Sequence, residues 1–229
     1  MKNTSLYPLD ELNQAHLNQS LCEAYQLSHN ELCKNPNIDS SFSGSTAISI
    51  LIRGKQCICT NTGDSRAVLG RFNKTTWEAV PLSKDHKPDD PMERLRIERS
   101  NGRVEAYKDH DRMPIGPLRV WLKNEQYPGL AMSRSIGDTV SIKAGVTCIP
   151  DVTFLTLEPT DRFIIIASDG IWEFITNEES VQIVSNFYYS GKLAEACDQL
   201  IKIATYRWSR KDIHIDDITV IIVSLKVKD

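Results

Sequence analysis

Two acidic clusters stand out among the residues able to do chemistry. Ser168-Asp169-Gly170-Ile171-Trp172-Glu173 follows the continuously apolar stretch 163–167, and Asp216-Asp217 precedes the β-rich stretch 218–225. If these stretches are antiparallel neighbours, the end of the first meets the start of the second. Asp169 and Asp216 then converge at one sheet edge. Carboxylates held together repel one another unless a hard cation neutralises them, and an all-oxygen donor set suits Mg²⁺ or Mn²⁺. A plainer reading stands beside this one: Asp169-Gly170 as a turn pair and Asp216-Asp217 as a solvated loop.

Other chemistries find less support. The six cysteines, Cys22, Cys33, Cys57, Cys59, Cys148 and Cys197, include no CxxC pair, and His214 is far from all of them, so no zinc motif is present. Cys57 and Cys59 share one face of an expected strand and read as buried free thiols of a reducing compartment. A net charge of −3 over 229 residues gives no excess of Lys and Arg for a nucleic-acid or polybasic membrane binder. No apolar run reaches the roughly 20 residues of a membrane helix. The opening Met1-Lys2-Asn3-Thr4-Ser5 has no apolar stretch behind it and does not read as a secretory signal. The expectation is one domain over 1–229, monomeric and cytoplasmic, with the nucleus as the alternative.

The elements that must position the clusters follow from periodicity. Residues 9–34 carry Leu12, His16, Leu17, Leu21 and Ala24 near helical spacing, and Pro36 closes the segment. Four short strands, 46–52, 56–61, 66–72 and 77–82, are separated by Gly54-Lys55, Gly63-Asp64 and Asn73-Lys74, a meander with Gly63-Asp64 as hairpin chemistry. Residues 88–101 read as a helix with acidic residues first and basic ones last, as its dipole prefers. Residues 103–133 read as irregular, a flap or lid. Strands follow at 152–157 and 162–167. Helices follow at 177–187, with Asn177 as its capped start, and at 192–208, before the last strand at 218–225. The order argues α+β, with helices packed outside a pair of antiparallel sheets.

Six strings strengthen the metal reading. They are Ser43-Gly44-Ser45-Thr46-Ala47, Asn61-Thr62-Gly63-Asp64-Ser65-Arg66-Ala67-Val68, Asp85-His86-Lys87-Pro88, the run from Pro128-Gly129-Leu130 to Ile136-Gly137-Asp138, Ala167-Ser168-Asp169-Gly170-Ile171-Trp172-Glu173, and Asp216-Asp217-Ile218-Thr219-Val220. In this order and spacing they resemble the metal-dependent type-2C (PPM-type) protein serine/threonine phosphatases over residues 43–225. The resemblance implies a two-sheet β-sandwich flanked by helices and hydrolysis of phosphoserine and phosphothreonine in phosphoproteins. By the same resemblance, Asp169 and Asp216 match ligands of one Mg²⁺ or Mn²⁺ ion in a two-metal core. Asp85 matches an outer ligand of a third, weaker ion, and Glu173 stands where the family often has an Asp helping to hold it. The chemistry implied is a water activated between two ions and attacking phosphorus in line.

The chain departs from the family pattern in two respects. It contains no Asp-Gly-His-Gly-Gly string, and none of His16, His29, His86, His110 and His214 has that context. The early phosphate-gripping Arg is absent too. The sequence therefore leads to the expectation of an N-terminally incomplete sandwich, truncated and weakly active or inactive. A catalytically dead phosphatase that binds a partner is the alternative. A phosphatase with an Asp nucleophile needs an Asp-x-Asp motif, and Asp89-Asp90 are adjacent instead. His86 and Asp64 read as structural, as does Asp138, taken to close a short helical turn. Arg134 is open between steadying the flap and meeting phosphate. Trp77, Trp121, Trp172 and Trp208 read as packing residues, and 119–123 as a substrate-side surface.

Overall fold

The computed structural model describes residues 11–211 and 215–227. The expected helical positions 9 and 10, the opening residues 1–5 and His214 lie outside them. The chain opens with α1 (Glu11–Lys34), then β1 (Gly44–Ser45), β2 (Ala47–Arg53), β3 (Gln56–Thr62), β4 (Arg66–Asn73) and β5 (Thr76–Pro81). Next come α2 (Pro91–Arg99), β6 (Gly102–Lys108), β7 (Pro114–Leu122), β8 (Pro128–Leu130), β9 (Ile136–Gly137) and α3 (Thr139–Ile142). The chain continues through β10 (Asp151–Thr156), β11 (Asp161–Ala167), α4 (Asp169–Trp172), α5 (Asn177–Tyr188), α6 (Leu193–Lys211) and β12 (Val220–Ser224).

Two antiparallel sheets form the sandwich, one ordered β10-β3-β2 and the other β12-β11-β4-β5. Cys57, Cys59, Ala67, Leu69 and Ile164 pack between them, with Ile48, Ile50 and Leu155 closing the layer. Cys57 and Cys59 thus share the inner face, as strand alternation requires. Burial pushes their thiols up to about 11 and about 12. On the outer face of the four-stranded sheet, Val68, Phe163, Ile165 and Ala167 meet Val181 and Val184 of α5 and Ala196, Leu200 and Ala204 of α6. Both faces of β11 are therefore covered, which accounts for its unbroken apolar run. Gly70 lies opposite Phe163, and a Cβ there would stand 2.4 Å from the ring. The missing side chain lets Phe163 lie flat on its neighbour strand. On the far side of the other sheet, the Tyr25 hydroxyl of α1 hydrogen-bonds Thr60 Oγ1 at 2.7 Å.

Three expectations change. The four early strands are not one meander. β2–β3 is a hairpin of one sheet, β4–β5 a hairpin of the other, and Gly63-Asp64 carries the chain across. Gly63 has φ +101°, and a Cβ there would lie 2.4 Å from Thr46 Cγ2, so the crossing needs glycine. Residues 103–133 are not irregular. β6, β7 and β8 form a three-stranded antiparallel sheet, and Val104, Val120 and Leu122 pack on Ile97 of α2. A register shift between Ala106 and Tyr107 and the positive φ of Gly116 break the alternation that would have announced these strands. At α5 the cap is Thr176, whose side chain accepts from the Glu179 amide, and Asn177 is the first helical residue.

Candidate metal centre

Strand register brings the acidic residues to one end of the four-stranded sheet. Ala167 pairs with Arg66 on one side and with Val220 on the other. Asp64 lies two residues before Arg66, Asp169 two after Ala167, and Asp216 four before Val220. All three therefore leave the sheet at the same edge. Asp216 stands near enough to Asp169 for its charge to raise that carboxyl. Ser168 ties it together: its Oγ donates to the Asp217 carbonyl at 3.1 Å and accepts from the Thr219 amide at 3.0 Å. Gly170 permits the approach, because a Cβ there would lie 2.5 Å from the Asp217 carbonyl oxygen.

Asp169 is the most perturbed carboxyl of this edge. Burial pushes its pKa up to about 6; Asp64, Asp216 and Glu173 add to the rise, and Lys87 opposes it. Asp216 is exposed, and its Oδ1 accepts from the Asp217 amide at 2.8 Å. Glu173, one turn after Asp169, is also exposed, with Lys211 Nζ 3.9 Å from Oε1. Asp85 lies in the loop before α2 and is gripped at both oxygens by Arg66, Nε to Oδ1 and Nη2 to Oδ2, each 2.7 Å. The guanidinium also reaches Asn177 Oδ1 at 2.9 Å and lies over the Trp172 ring. Asp85 could turn to an ion only by giving up this fork.

Asp64, which the sequence reading took as structural, and Lys87, to which it gave no role of its own, belong to the cluster. Asp64 is buried, and its Oδ2 accepts from the Lys87 ammonium. Burial would lower the Lys87 pKa, but Asp64 above all, with Asp169 and Asp85, raises it. The excess of carboxylate over cation beside Asp169 and the all-oxygen donor set fit a hard divalent ion. Among the described residues, no three His, Cys, Asp or Glu side chains close into a tight cage around one point.

The adjoining polar residues have other tasks. The buried Nδ1 of His86 accepts from the Gly63 amide at 3.1 Å, leaving Nε2 to donate to Asp151 Oδ2 at 3.1 Å. His86 thus pins the crossing turn. Arg134 does not reach the carboxylate edge. Its Nη2 donates to Glu93 Oε1 at 2.8 Å and its Nη1 to Asp151 Oδ1 at 2.7 Å and the Ile149 carbonyl at 2.9 Å. Arg96 adds a bidentate pair to Glu93, both bonds 2.8 Å, and Ser133 Oγ donates at 2.5 Å. Arg134 therefore ties the segment after β8 to α2 and to the start of β10. Asp138 precedes α3 and does not close a turn; its Oδ2 accepts from Ser135 Oγ at 2.6 Å. Trp172 and Trp208 are packing residues whose indole N–H groups donate to the carbonyls of Ala167 and Gly170, each 2.8 Å.

A family model described as Protein phosphatase 2C matches residues 2–213. The probable protein phosphatase 2C 12 of Oryza sativa subsp. japonica is 40% identical over 194 residues, covering 84% of this chain and 48% of its own length. The probable protein phosphatase 2C 52 of Arabidopsis thaliana is 38% identical over 194 residues, covering 84% of this chain and 40% of its own. The chain thus spans less than half the length of these two relatives. The crystal structure of a serine-threonine phosphatase 2C from Toxoplasma gondii superposes with a TM-score of 0.80 at 25% identity, over 96% of this chain and 72% of that one. Six strings in order, two antiparallel sheets between helices, and an acidic edge at the end of β11 all lead to the same place: the chain belongs to the protein phosphatase 2C family.

Proposed function

We propose that the chain hydrolyses phosphoserine and phosphothreonine in phosphoprotein substrates with Mg²⁺ or Mn²⁺. Asp169 and Asp216 hold one ion of the core, and Asp85 and Glu173 serve a third, weaker ion beside it. The observation that carries this reading is the charge imbalance at Asp169, two residues past the buried end of β11, where neighbouring carboxylates help raise its acid to about 6. Such an edge favours a divalent cation over a proton near neutral pH. When bound, ions of this kind activate water and screen the charge that grows on the phosphoryl oxygens. The chain's own residues supply position. β11 fixes Asp169, Ser168 and Gly170 hold the Asp216-Asp217 segment against it, and Asp85 joins an ion only by releasing the Arg66 fork. The proposal extends to a monomer working in the cytoplasm or nucleus, where the six unpaired thiols suit a reducing setting.

The test is phosphate release from a phosphothreonine peptide by the purified chain with Mg²⁺ or Mn²⁺, against chelator and against Asp169→Ala. Ion-dependent turnover that falls by about 100-fold or more in the variant supports the reading. Ion binding without turnover would identify a binding module that has lost catalysis. Turnover unchanged by chelator or by Asp169→Ala would overturn the metal assignment.

A further inference from the structure

Lys87 is placed unlike any other cation near the acidic edge. Its side chain is 35% exposed and its ammonium donates to the nearly inaccessible carboxylate of Asp64. An ammonium has three donors, so this bond leaves it others. Its charge is also felt by Asp169 and Asp85. Arg66 differs, because its fork is closed on Asp85. Lys211 reaches Glu173 and lies over the Phe174 ring, at the exposed margin. Lys87 is thus the cation whose charge bears on Asp169 without a bond to it.

We propose that Lys87 is a built-in counter-charge of the edge, held by Asp64, which sets how tightly Asp169 and Asp216 draw a divalent ion without touching that ion. The inference rests on the metal reading above. Asp64 and Lys87 together contribute no net charge. Removing the lysine alone leaves the edge more negative, removing the aspartate alone leaves it more positive, and removing both restores the balance. A merely structural pair would lose ion binding in all three cases, so the sign pattern identifies an electrostatic role.

The experiment titrates Mn²⁺ into the chain, following free Mn²⁺ by electron paramagnetic resonance, for wild type, Lys87→Met, Asp64→Asn and the double variant. Thermal melts confirm that each is folded. Lys87→Met should tighten Mn²⁺ binding by about tenfold, Asp64→Asn should weaken it by about as much, and the double variant should lie within about twofold of wild type. If Lys87→Met does not fold with Asp64 left unpaired, Asp64→Asn and the double variant carry the same test, since the second must recover what the first loses. Weaker binding in Lys87→Met, or a double variant as poor as Asp64→Asn, overturns the inference while leaving the metal reading in place. A wild-type chain that takes up no Mn²⁺, with every variant equally blank, overturns both.

Discussion

Neighbouring residues His86 and Lys87 lead into two charged clusters of opposite balance. Through Asp151, His86 joins the cluster in which Glu93 and Asp151 face Arg96 and Arg134, two anions against two cations. There Glu93, though burial alone would raise its pKa, is held well below the usual carboxylate range by Arg96, Arg134 and Ser133. Through Asp64, Lys87 joins the edge where Asp64, Asp85, Asp169, Asp216 and Glu173 outnumber Arg66, Lys87 and Lys211. There burial wins and Asp169 rises to about 6. Both places gather buried carboxylate. Only the first satisfies it internally. A cluster that balances itself holds elements together, and one that does not is poised for a charge from outside.

Breaking the balanced cluster should have the largest effect. Glu93→Ala leaves two arginines in partly buried surroundings without their carboxylate, and should cost about 3–5 kcal/mol in urea unfolding. A loss below about 1 kcal/mol would mean that the arginines find water and that the cluster is not a structural tie. The unbalanced edge should respond in the opposite direction. In chelator at pH 7, Asp169→Asn removes a charge the fold resists, and should raise stability by roughly 1–2 kcal/mol after allowance for solvent screening. Mn²⁺ should then raise the melting temperature of wild type and leave the variant unmoved. An ion-free variant less stable than wild type would erase the contrast.

The pH dependence sharpens the comparison on a smaller scale. Asp169 binds its proton more tightly folded than unfolded, so ion-free stability falls as pH rises from about 4 to about 6. Asp151, lowered to about 2 mainly by its bond to His86, behaves in reverse. Its contribution is present above about pH 4 and is lost as pH falls towards 2. Because half of the Asp151 side chain is exposed, that contribution should stay under about 1 kcal/mol. Unfolding free energies from pH 2 to 7 should lose the upper slope in Asp169→Asn and the lower one in Asp151→Asn. Slopes of the same sign in both windows would contradict the assigned charges.

What the sequence disclosed depended on how local each signal was. The apolar run 163–167 and the acidic residues after it are adjacent in the chain, so strand and carboxylate could be read together. The pairing of β11 with β12, which brings Asp216 towards Asp169, was only a condition in the sequence, because nothing local marks strand neighbours so far apart in the chain; the register supplies it. The Arg66–Asp85 fork spans 19 residues and the Arg134–Glu93 pair 41, and no periodicity announces either. Asp64 looked like turn chemistry because Gly63-Asp64 is a common turn pair. Its burial and its lysine come from the crossing between sheets. The β6–β8 sheet stayed hidden for a backbone reason: Pro114, Gly116 and Pro117 begin β7 beyond the reach of β8, which pairs only at Val120 and Trp121.

β11 forms a wall one residue thick between two apolar layers, Phe163, Ile165 and Ala167 lining one and Ile164 the other. Neither layer can melt while the other stands, because each would strip half of the same strand. The sandwich and the α5–α6 layer are therefore a single cooperative unit, and the amides of Ile164 and Ile165 should exchange with deuterium only through global opening. β12 is shielded less completely, with Val220 and Ile222 packed on one layer and Val223 on the other. It lies at the end of its sheet, and Ile221 is 53% exposed. Fraying there moves Asp216 while Asp169 stays still, so the edge opens from one side only, like a door on a fixed jamb.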